Sequence, residues 1–200
     1  MTAGKESVEL RPYLAQDDAA ARAASLCAAL RLFVRHGIDA TSVRDIAAGS
    51  GFTNPAIFKH FDSKEALALC LFERCYTWMG NAFRTASETV TGGAEQKLAA
   101  IVECALRLID EDQEALLYVQ ENLRRFWRQA SPETRQFSLL GHIRALLDAR
   151  SGSPVERNLQ ASAIIGFIGQ LAREAYFGEL PGTALSQAQR VNAIIMRIIN

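Results

Sequence analysis

Residues 42–61 concentrate side chains whose chemistry suits a nucleic acid. The amide of Asn54 can read the edge of an adenine with two hydrogen bonds, and the ammonium of Lys59 can reach a guanine or a phosphate. Ala56 and Phe58 offer apolar groups that can touch a thymine methyl. These residue types, placed close together, predict a short helix that reads DNA in the major groove.

Two further cations lie at the starts of predicted helices, where backbone amides are unpaired. Asp62 and Glu65 have the spacing of a capping box, yet Lys64 places a positive charge in the first helical turn, where the helix dipole disfavours it. A DNA phosphate held by the free amides and the Lys64 ammonium would resolve this conflict. The same reasoning applies to Arg44 in the preceding short helix. The alternative is a lysine that is simply solvated.

The elements that position these side chains have the layout of a helix-turn-helix. Ser42 and Asp45 have capping-box spacing, which predicts that a helix begins there. The small Ala47 allows the next helix to cross closely. Gly51 follows four residues later, where the sharp turn between the helices favours a positive φ.

The second helix of this motif has one face for the core and one for DNA. Ile57 and Phe61 are four residues apart on one face, and anchoring both places Pro55 and Lys59 on the opposite side. Thr53 is a natural N-cap, and proline is tolerated in the first helical turn. The alternative is a small helical packing motif whose outer face is solvated.

Helical periodicity runs through the rest of the chain, and strand signals are nearly absent. The 200 residues, 49% apolar and 22% charged, suffice for a buried core. Proline and glycine separate apolar runs that have three- and four-residue spacing. The predicted helices span about residues 17–36, 42–50, 53–61, 63–78 or beyond, 94–110, 113–129, 132–150, 154–177 and 183–199. The sequence therefore predicts an all-α fold.

Charge and motif content argue against several other classes of protein. The 22 basic and 22 acidic residues give no net charge, unlike a polycation that coats nucleic acid. No apolar run could span a bilayer and residues 1–10 lack a secretory signal, so we expect a cytoplasmic protein without a membrane partner. Motifs for nucleotide binding, zinc proteolysis and serine hydrolysis are absent, so we expect no cofactor, metal site or catalytic residue.

Residues 22–70 resemble the N-terminal domain of the TetR (tetracycline-repressor-like) family of transcriptional regulators. The shared features are Ala-Leu-x-Leu-Phe at residues 29–33, Thr-Ser-Val-Arg-Asp-Ile-Ala at 41–47, the turn glycine, His-Phe at 60–61 and Ser-Lys-Glu-Ala-Leu at 63–67. The family usually has tyrosine where this chain has Phe58, so one phosphate hydrogen bond is missing, and Lys59 and His60 are candidates to replace it. The candidate DNA contacts are Ser42, Arg44, Thr53, Asn54, Pro55, Ala56, Phe58, Lys59, His60 and Lys64.

The resemblance implies a three-helix DNA-binding domain over residues 1–62 and a helical ligand-binding and dimerisation domain over residues 63–200. It implies a homodimer whose two recognition helices meet successive major grooves about 34–36 Å apart, and hence a palindromic operator. It further implies a repressor that a small-molecule effector releases from DNA, coupled through the long helix after Ser63. The candidate effector contacts are Trp78, Phe83, Tyr118, Asn122, Phe126, Phe137 and Phe167, for each of which ordinary packing is the alternative.

Two features of the C-terminal half leave alternatives open. The helix predicted over residues 154–177 is apolar on more than one side, which indicates burial on both. The second side is covered either by another copy of the chain or by the core of a monomer. The cluster from Arg124 to Arg128 is interpreted as a solvated face whose long stems cover apolar surface, with an anionic effector as the alternative.

We therefore expect a homodimeric, ligand-responsive DNA-binding regulator that is not an enzyme. One alternative is an all-α enzyme that uses a C-terminal cavity. Another is a TetR-like ligand- or protein-binding module that has lost DNA recognition. Binding to a palindromic duplex that weakens steeply as salt rises would separate the first interpretation from both alternatives.

Overall fold

The computed structural model describes residues 11–150 and 152–200, and within them it contains helices and no strand. The helices are α1 (Ala20–His36), α2 (Val43–Ser50), α3 (Asn54–Phe58), α4 (Lys64–Glu88), α5 (Ala94–Phe126), α6 (Pro132–Arg135), α7 (Leu139–Asp148), α8 (Pro154–Tyr176) and α9 (Ala188–Ile199). The all-α prediction is confirmed. The chain forms two compact units that divide within α4, after Cys75, whereas the sequence placed the domain boundary before that helix.

The N-terminal unit is built by α1, α2 and α3, which pack on one another. Leu26, Leu30 and Phe33 recur on one side of α1 and are buried, because three- and four-residue spacing keeps them on one face. Gly37 ends the helix with a φ of 82°, and its amide donates to the carbonyl of Phe33 at 2.8 Å. The predicted C-terminus of this helix is confirmed.

An ion pair fixes the segment that precedes α1. Asp18 lies before the helix. Its carboxylate accepts hydrogen bonds from the amide of Ala15 at 2.9 Å and from both terminal nitrogens of Arg74. The carboxylate is 5% exposed. The hydrogen bond from Arg74 holds the pKa of Asp18 below its ordinary value of 3.8. Because Asp18 is used in this way, α1 begins at Ala20 instead of residue 17.

In the C-terminal unit, α5 consists of two helical segments that meet at a kink, where the sequence predicts an interruption. Asp112 leaves the helical region with φ −155° and ψ 77°, and the helix continues on both sides. Its carboxylate accepts a hydrogen bond from the amide of Ala115 at 3.0 Å, so it caps the second half of α5. Asp112 therefore separates two helical segments, and the predicted interruption is confirmed.

The single helix predicted over residues 132–150 is wrong, because two serines each start a separate helix. Ser131 accepts from the amide of Thr134 and begins α6, and Ser138 accepts from the amide of Gly141 and begins α7. The Ser153 hydroxyl likewise accepts from the amide of Glu156 and begins α8. The helix predicted from residue 183 instead starts as a 3-10 turn at Leu185–Gln187 before α9.

The core of the C-terminal unit lies around α5, which packs against α7, α8 and α9. Fully or nearly fully buried side chains from these helices fill it, including Ile101, Tyr118, Ile143, Ile164 and Ile195. Across the described ranges, none of the helices combines the length and the apolar character that crossing a membrane requires.

Candidate functional site

The first helix of the helix-turn-helix begins with the predicted capping box. The Ser42 hydroxyl accepts from the amide of Asp45 at 3.2 Å, and the Asp45 carboxylate accepts from the amide of Ser42 at 2.8 Å. The Ser42 hydroxyl also donates to the Asp45 carboxylate at 2.6 Å. This hydrogen bond, together with the one from the Ser42 amide, lowers the pKa of Asp45. Gly51 ends α2 with φ 73° and ψ 14°, the left-handed conformation that the turn was predicted to need.

The second helix, α3, is anchored by the two predicted apolar residues. Ile57 is 2% exposed and Phe61 is 5% exposed. Thr53 is the N-cap, since its hydroxyl accepts from the amide of Ala56 at 3.4 Å. The opposite side faces outward: Thr53, Pro55, Phe58 and Lys59 are exposed, and Asn54, Ala56 and His60 are half-buried. The predicted orientation of α3 is confirmed, while each of its contacts with DNA stays a prediction.

The start of α4 differs from the prediction. Ser63, not Asp62, is the N-cap, because the Ser63 hydroxyl accepts from the amide of Ala66 at 3.0 Å. The capping box predicted for Asp62 and Glu65 is therefore wrong. The helix starts one residue later than a cap at Asp62 would place it, so Lys64 is its first residue.

The Lys64 ammonium is already bonded within the N-terminal unit. It donates to the carbonyls of Ile38 at 2.7 Å, Thr41 at 2.8 Å and Asp39 at 3.5 Å. An ammonium has three protons, and these carbonyls accept all of them. We therefore revise the prediction that Lys64 binds a phosphate: the three carbonyls of the α1–α2 loop, rather than an external anion, offset its position in the first helical turn.

Other polar side chains of the motif have no such internal partner. Within residues 11–150 and 152–200, the side chains of Arg44, Asn54 and Lys59 form no hydrogen bond or ion pair. Arg44 and Lys59 are exposed, and Phe58 is 48% exposed. This face can offer donors, acceptors and an apolar ring to a base edge or phosphate without first breaking internal contacts.

The C-terminal unit contains a cavity of about 770 Å³ between α4, α5, α7 and α8. Most of its lining is apolar, and none of its lining residues is acidic. The lining residues are Tyr76, Met79, Gly80, Phe83, Ala105, Leu116, Val119, Gln120, Leu123, Arg124, Trp127, Arg128, Phe137, Ser138, Leu139, Leu140, Gly141, Arg144, Ile165, Ile168, Gly169 and Ala172. Its size is that of typical small-molecule sites.

The cavity includes only part of the predicted effector contacts. Phe83 and Phe137 line it. Tyr118, Asn122 and Phe126 share one face of α5, as predicted, but at about 100° per residue that face points away from the cavity. The Asn122 amide donates to the carbonyl of Tyr118 at 2.9 Å, which supplies the partner that a buried amide needs.

Trp78 and Phe167 also lie outside the lining. Trp78 is one residue from Met79, and Phe167 one residue from Ile168, so each points to a different side of its helix from a residue that does line the cavity. We therefore revise the predicted effector contacts of Trp78, Tyr118, Asn122, Phe126 and Phe167. Which faces of α4, α5 and α8 meet the cavity depends on how these helices pack, and the sequence alone does not show it.

Sequence reasoning missed the polar part of the lining. Tyr76 and Trp127 lie with ring centroids 5.7 Å apart, and burial raises the pKa of Tyr76 while a hydrogen bond with Ser138 lowers it. Gly80 allows α4 to lie close to the main chain of Phe137, because a Cβ at this position would lie 2.7 Å from the carbonyl oxygen of Phe137. The signal for Arg124 and Arg128 was present in the sequence, but the preferred interpretation was a solvated face.

The helix α8 has one buried and one exposed apolar side. Ile164 and Ile168 face the core, whereas Leu159 is 67% exposed and Val155 is 69% exposed. Ile194 of α9 is 44% exposed. The structure thus contradicts the alternative in which α8 is wholly buried inside a monomer.

Comparison with known proteins finds a family that matches the N-terminal segment. Residues 26–71 match the family described as "Bacterial regulatory proteins, tetR family". The HTH-type transcriptional activator FasR of Mycolicibacterium smegmatis is 32% identical over 97 residues, 48% of this chain and 44% of that relative. The HTH-type transcriptional repressor KstR2 of Rhodococcus jostii is 31% identical over 98 residues, 48% and 47% respectively. The chain spans about half the length of the curated relatives it matches.

Solved structures extend the likeness to most of the chain. The ketosteroid transcriptional regulator KstR2 of Mycobacterium tuberculosis matches with a TM-score of 0.74 and 22% identity, over 88% of this chain and 93% of that one. The regulator FadR of Bacillus subtilis, in complex with stearoyl-CoA, matches with a TM-score of 0.66 and 18% identity, over 86% and 96%. At these identities the likeness shows the fold.

Proposed function

From the premise that this chain carries the N-terminal domain of the TetR family, we propose that it is a homodimeric transcriptional repressor. Each protomer would insert α3 into the major groove of a palindromic operator, and a small molecule in the C-terminal cavity would release the DNA. As a regulator of DNA it would act in the cytoplasm. The observation that carries this proposal is the outward face of α3, where the side chains of Asn54 and Lys59 have no hydrogen-bond or ion-pair partner within the described residues.

The α3 face is proposed to divide its contacts between bases and phosphates. Asn54 reads an adenine edge, and Phe58 and Ala56 contact thymine methyl groups. Lys59 and Arg44 bind phosphate or guanine. Further contacts with the DNA backbone, or a fit to its shape, come from Ser42, Thr53, Pro55 and His60. Lys64 donates to main-chain carbonyls, and we propose that it holds the start of α4 instead of binding phosphate.

The exposed apolar side of α8 supports the homodimer. Val155, Leu159 and Ile194 lie on an outer surface that water contacts in a single chain. Exposed apolar side chains grouped on neighbouring helices favour association with a partner. We propose that a second copy covers this surface, which would place two α3 helices on successive grooves.

The cavity supports an effector that is bound mainly by apolar contacts. Its walls come from α4, α5, α7 and α8, and α4 continues without a break from Lys64 in the N-terminal unit to Glu88 in the C-terminal unit. FadR of Bacillus subtilis binds stearoyl-CoA in its solved structure, and KstR2 of Mycobacterium tuberculosis is a ketosteroid regulator. We propose that this chain likewise responds to a ligand with a large apolar body, coupled to DNA through α4.

Selection from a pool of randomised duplexes tests the proposal. The full chain should enrich a palindrome, with two chains bound per duplex. Asn54→Ala should lose about 1–3 kcal/mol of binding free energy at particular base pairs only. Thr89→Ala, a change on an exposed residue at the end of α4, is the matched control and should bind like the wild type. Enrichment of no sequence, or of one bound by a single chain, would contradict the proposal.

A further inference from the structure

Three arginines of the C-terminal unit differ from those that the fold pairs with a carboxylate. Arg150 pairs with Glu95 at 2.5 Å, and Arg157 pairs with Asp148 at 3.1 Å. Arg124, Arg128 and Arg144, which we name the mouth arginines, line the cavity instead. Among the residues that the structure describes, no side chain is hydrogen-bonded or ion-paired to any of the three.

The mouth arginines lie on the solvent side of the cavity. All three are exposed, whereas Met79, Phe83 and other apolar lining residues are buried. Arg124 and Arg128 are four residues apart on α5 and therefore share a face, while Arg144 comes from α7. The cavity is thus apolar inside and positively charged where it meets water.

No acidic side chain in the lining offsets this charge. A cationic ligand would therefore meet uncompensated repulsion, and a neutral one would leave the three guanidinium groups bonded to water alone. A guanidinium binds a carboxylate or phosphate with paired, charge-assisted hydrogen bonds. The missing negative charge is the chemical feature that the cavity lacks and a ligand can supply.

We propose that the effector is an amphipathic anion whose apolar body fills the cavity and whose carboxylate or phosphate binds the mouth arginines. This inference rests on the proposed function, since it names the ligand class of the same cavity. A ligand held in this way bridges α5 and α7, because its head meets arginines from both helices. The shared chemistry is an anion on an apolar body, and the source is either a free acid or a coenzyme A thioester.

Binding of probes that differ in charge tests this inference without DNA. The full chain is titrated by calorimetry with dodecanoate, dodecanoyl-CoA, dodecanol and dodecyltrimethylammonium, all below their micelle concentrations. Lithocholate and its methyl ester repeat the comparison with a fused-ring body. The anions should bind at least about tenfold more tightly than their neutral counterparts, and the cation most weakly. The stronger of dodecanoate and dodecanoyl-CoA identifies the source of the anion.

Arginine variants then assign the preference to the mouth. Arg124→Gln, Arg128→Gln and Arg144→Gln should each weaken anion binding by about fivefold and leave dodecanol binding unchanged. Arg107→Gln is the matched control, because Arg107 is an exposed arginine of α5 outside the cavity lining. Circular dichroism confirms that each variant is folded.

Several results would overturn the inference: equal binding of anions and neutral probes, binding of no anion, or arginine variants that behave like Arg107→Gln. These results are independent of the DNA experiment. Enrichment of a palindrome without any preference for anions keeps the regulator and removes the ligand class. Anion binding by a chain that enriches no duplex keeps the ligand class and removes the operator.

Discussion

The α4 segment of the N-terminal unit and the cavity mouth of the C-terminal unit use their positive charges in opposite ways. In the N-terminal unit, Arg74 is held by Asp18, and Lys64 is held by three main-chain carbonyls. In the C-terminal unit, the mouth arginines have no internal partner within the described residues. A cation that the fold has already satisfied stabilises the fold, whereas an unsatisfied one is available to a ligand. Lys59 on α3 belongs to the second class although it lies in the first unit.

The largest expected effect comes from removing a partnered charge. Asp18→Asn leaves Arg74 without its carboxylate in a site where Asp18 is 5% exposed. We expect the free energy of unfolding to fall by about 3 kcal/mol, because breaking a buried ion pair leaves an uncompensated charge. Chemical denaturation measures it. Glu88→Gln breaks the exposed pair with Arg84 and should cost less than about 0.5 kcal/mol.

The pH dependence of the same carboxylate gives a second readout. Arg74 lowers the pKa of Asp18 in the folded state below 3.8, so the stabilisation is fully present above that pH and is lost as pH falls through the folded-state pKa. The stability difference between wild type and Asp18→Asn should therefore be constant near neutral pH and shrink below about pH 4. A difference that persists unchanged in strong acid would mean that the pair does not stabilise the fold.

A smaller effect is expected from a methyl group placed in the cavity wall. The added Cβ of Gly80→Ala would lie 2.2 Å from the Phe137 Cβ and 2.7 Å from its carbonyl oxygen, so the main chain must move. We expect a loss of about 1–3 kcal/mol in unfolding free energy. Gly141→Ala adds a methyl at an ordinary 3.5 Å from Ser138 and, being helical, should be neutral or stabilising. Equal effects of the two variants would contradict the close approach of α4 to Phe137.

The helix-turn-helix could be predicted from the sequence because its determinants are local. Ser42 with Asp45, Gly51, and Ile57 with Phe61 act over three or four residues, and each behaves in the structure as its spacing indicates. The N-cap of α4 was wrong by one residue because Asp62 and Ser63 are both good caps, and only the structure decides between them.

The cavity could not be predicted in the same way. Its walls come from helices far apart in the chain, and which face of α5 they meet depends on the kink at Asp112 and on packing against α8. Tyr118 and Asn122 therefore lie on the face of α5 that points away from the cavity, although they share one face of the helix as predicted. The role of Lys64 was also hidden, since its partners lie in a loop more than 20 residues earlier.

Whether α3 neutralises DNA phosphate is measured by a salt titration of DNA binding by three proteins: the wild type, Lys59→Gln and Lys64→Gln, each on the selected palindrome. We expect binding of the wild type to weaken steeply as salt rises. The log–log slope for Lys59→Gln should be shallower by about 0.9 for each phosphate that the lysine no longer neutralises. Lys64→Gln should bind more weakly with an unchanged slope, because its ammonium holds carbonyls instead of phosphate. Binding that ignores salt, or a slope that changes for Lys64→Gln and not for Lys59→Gln, would contradict this role of α3.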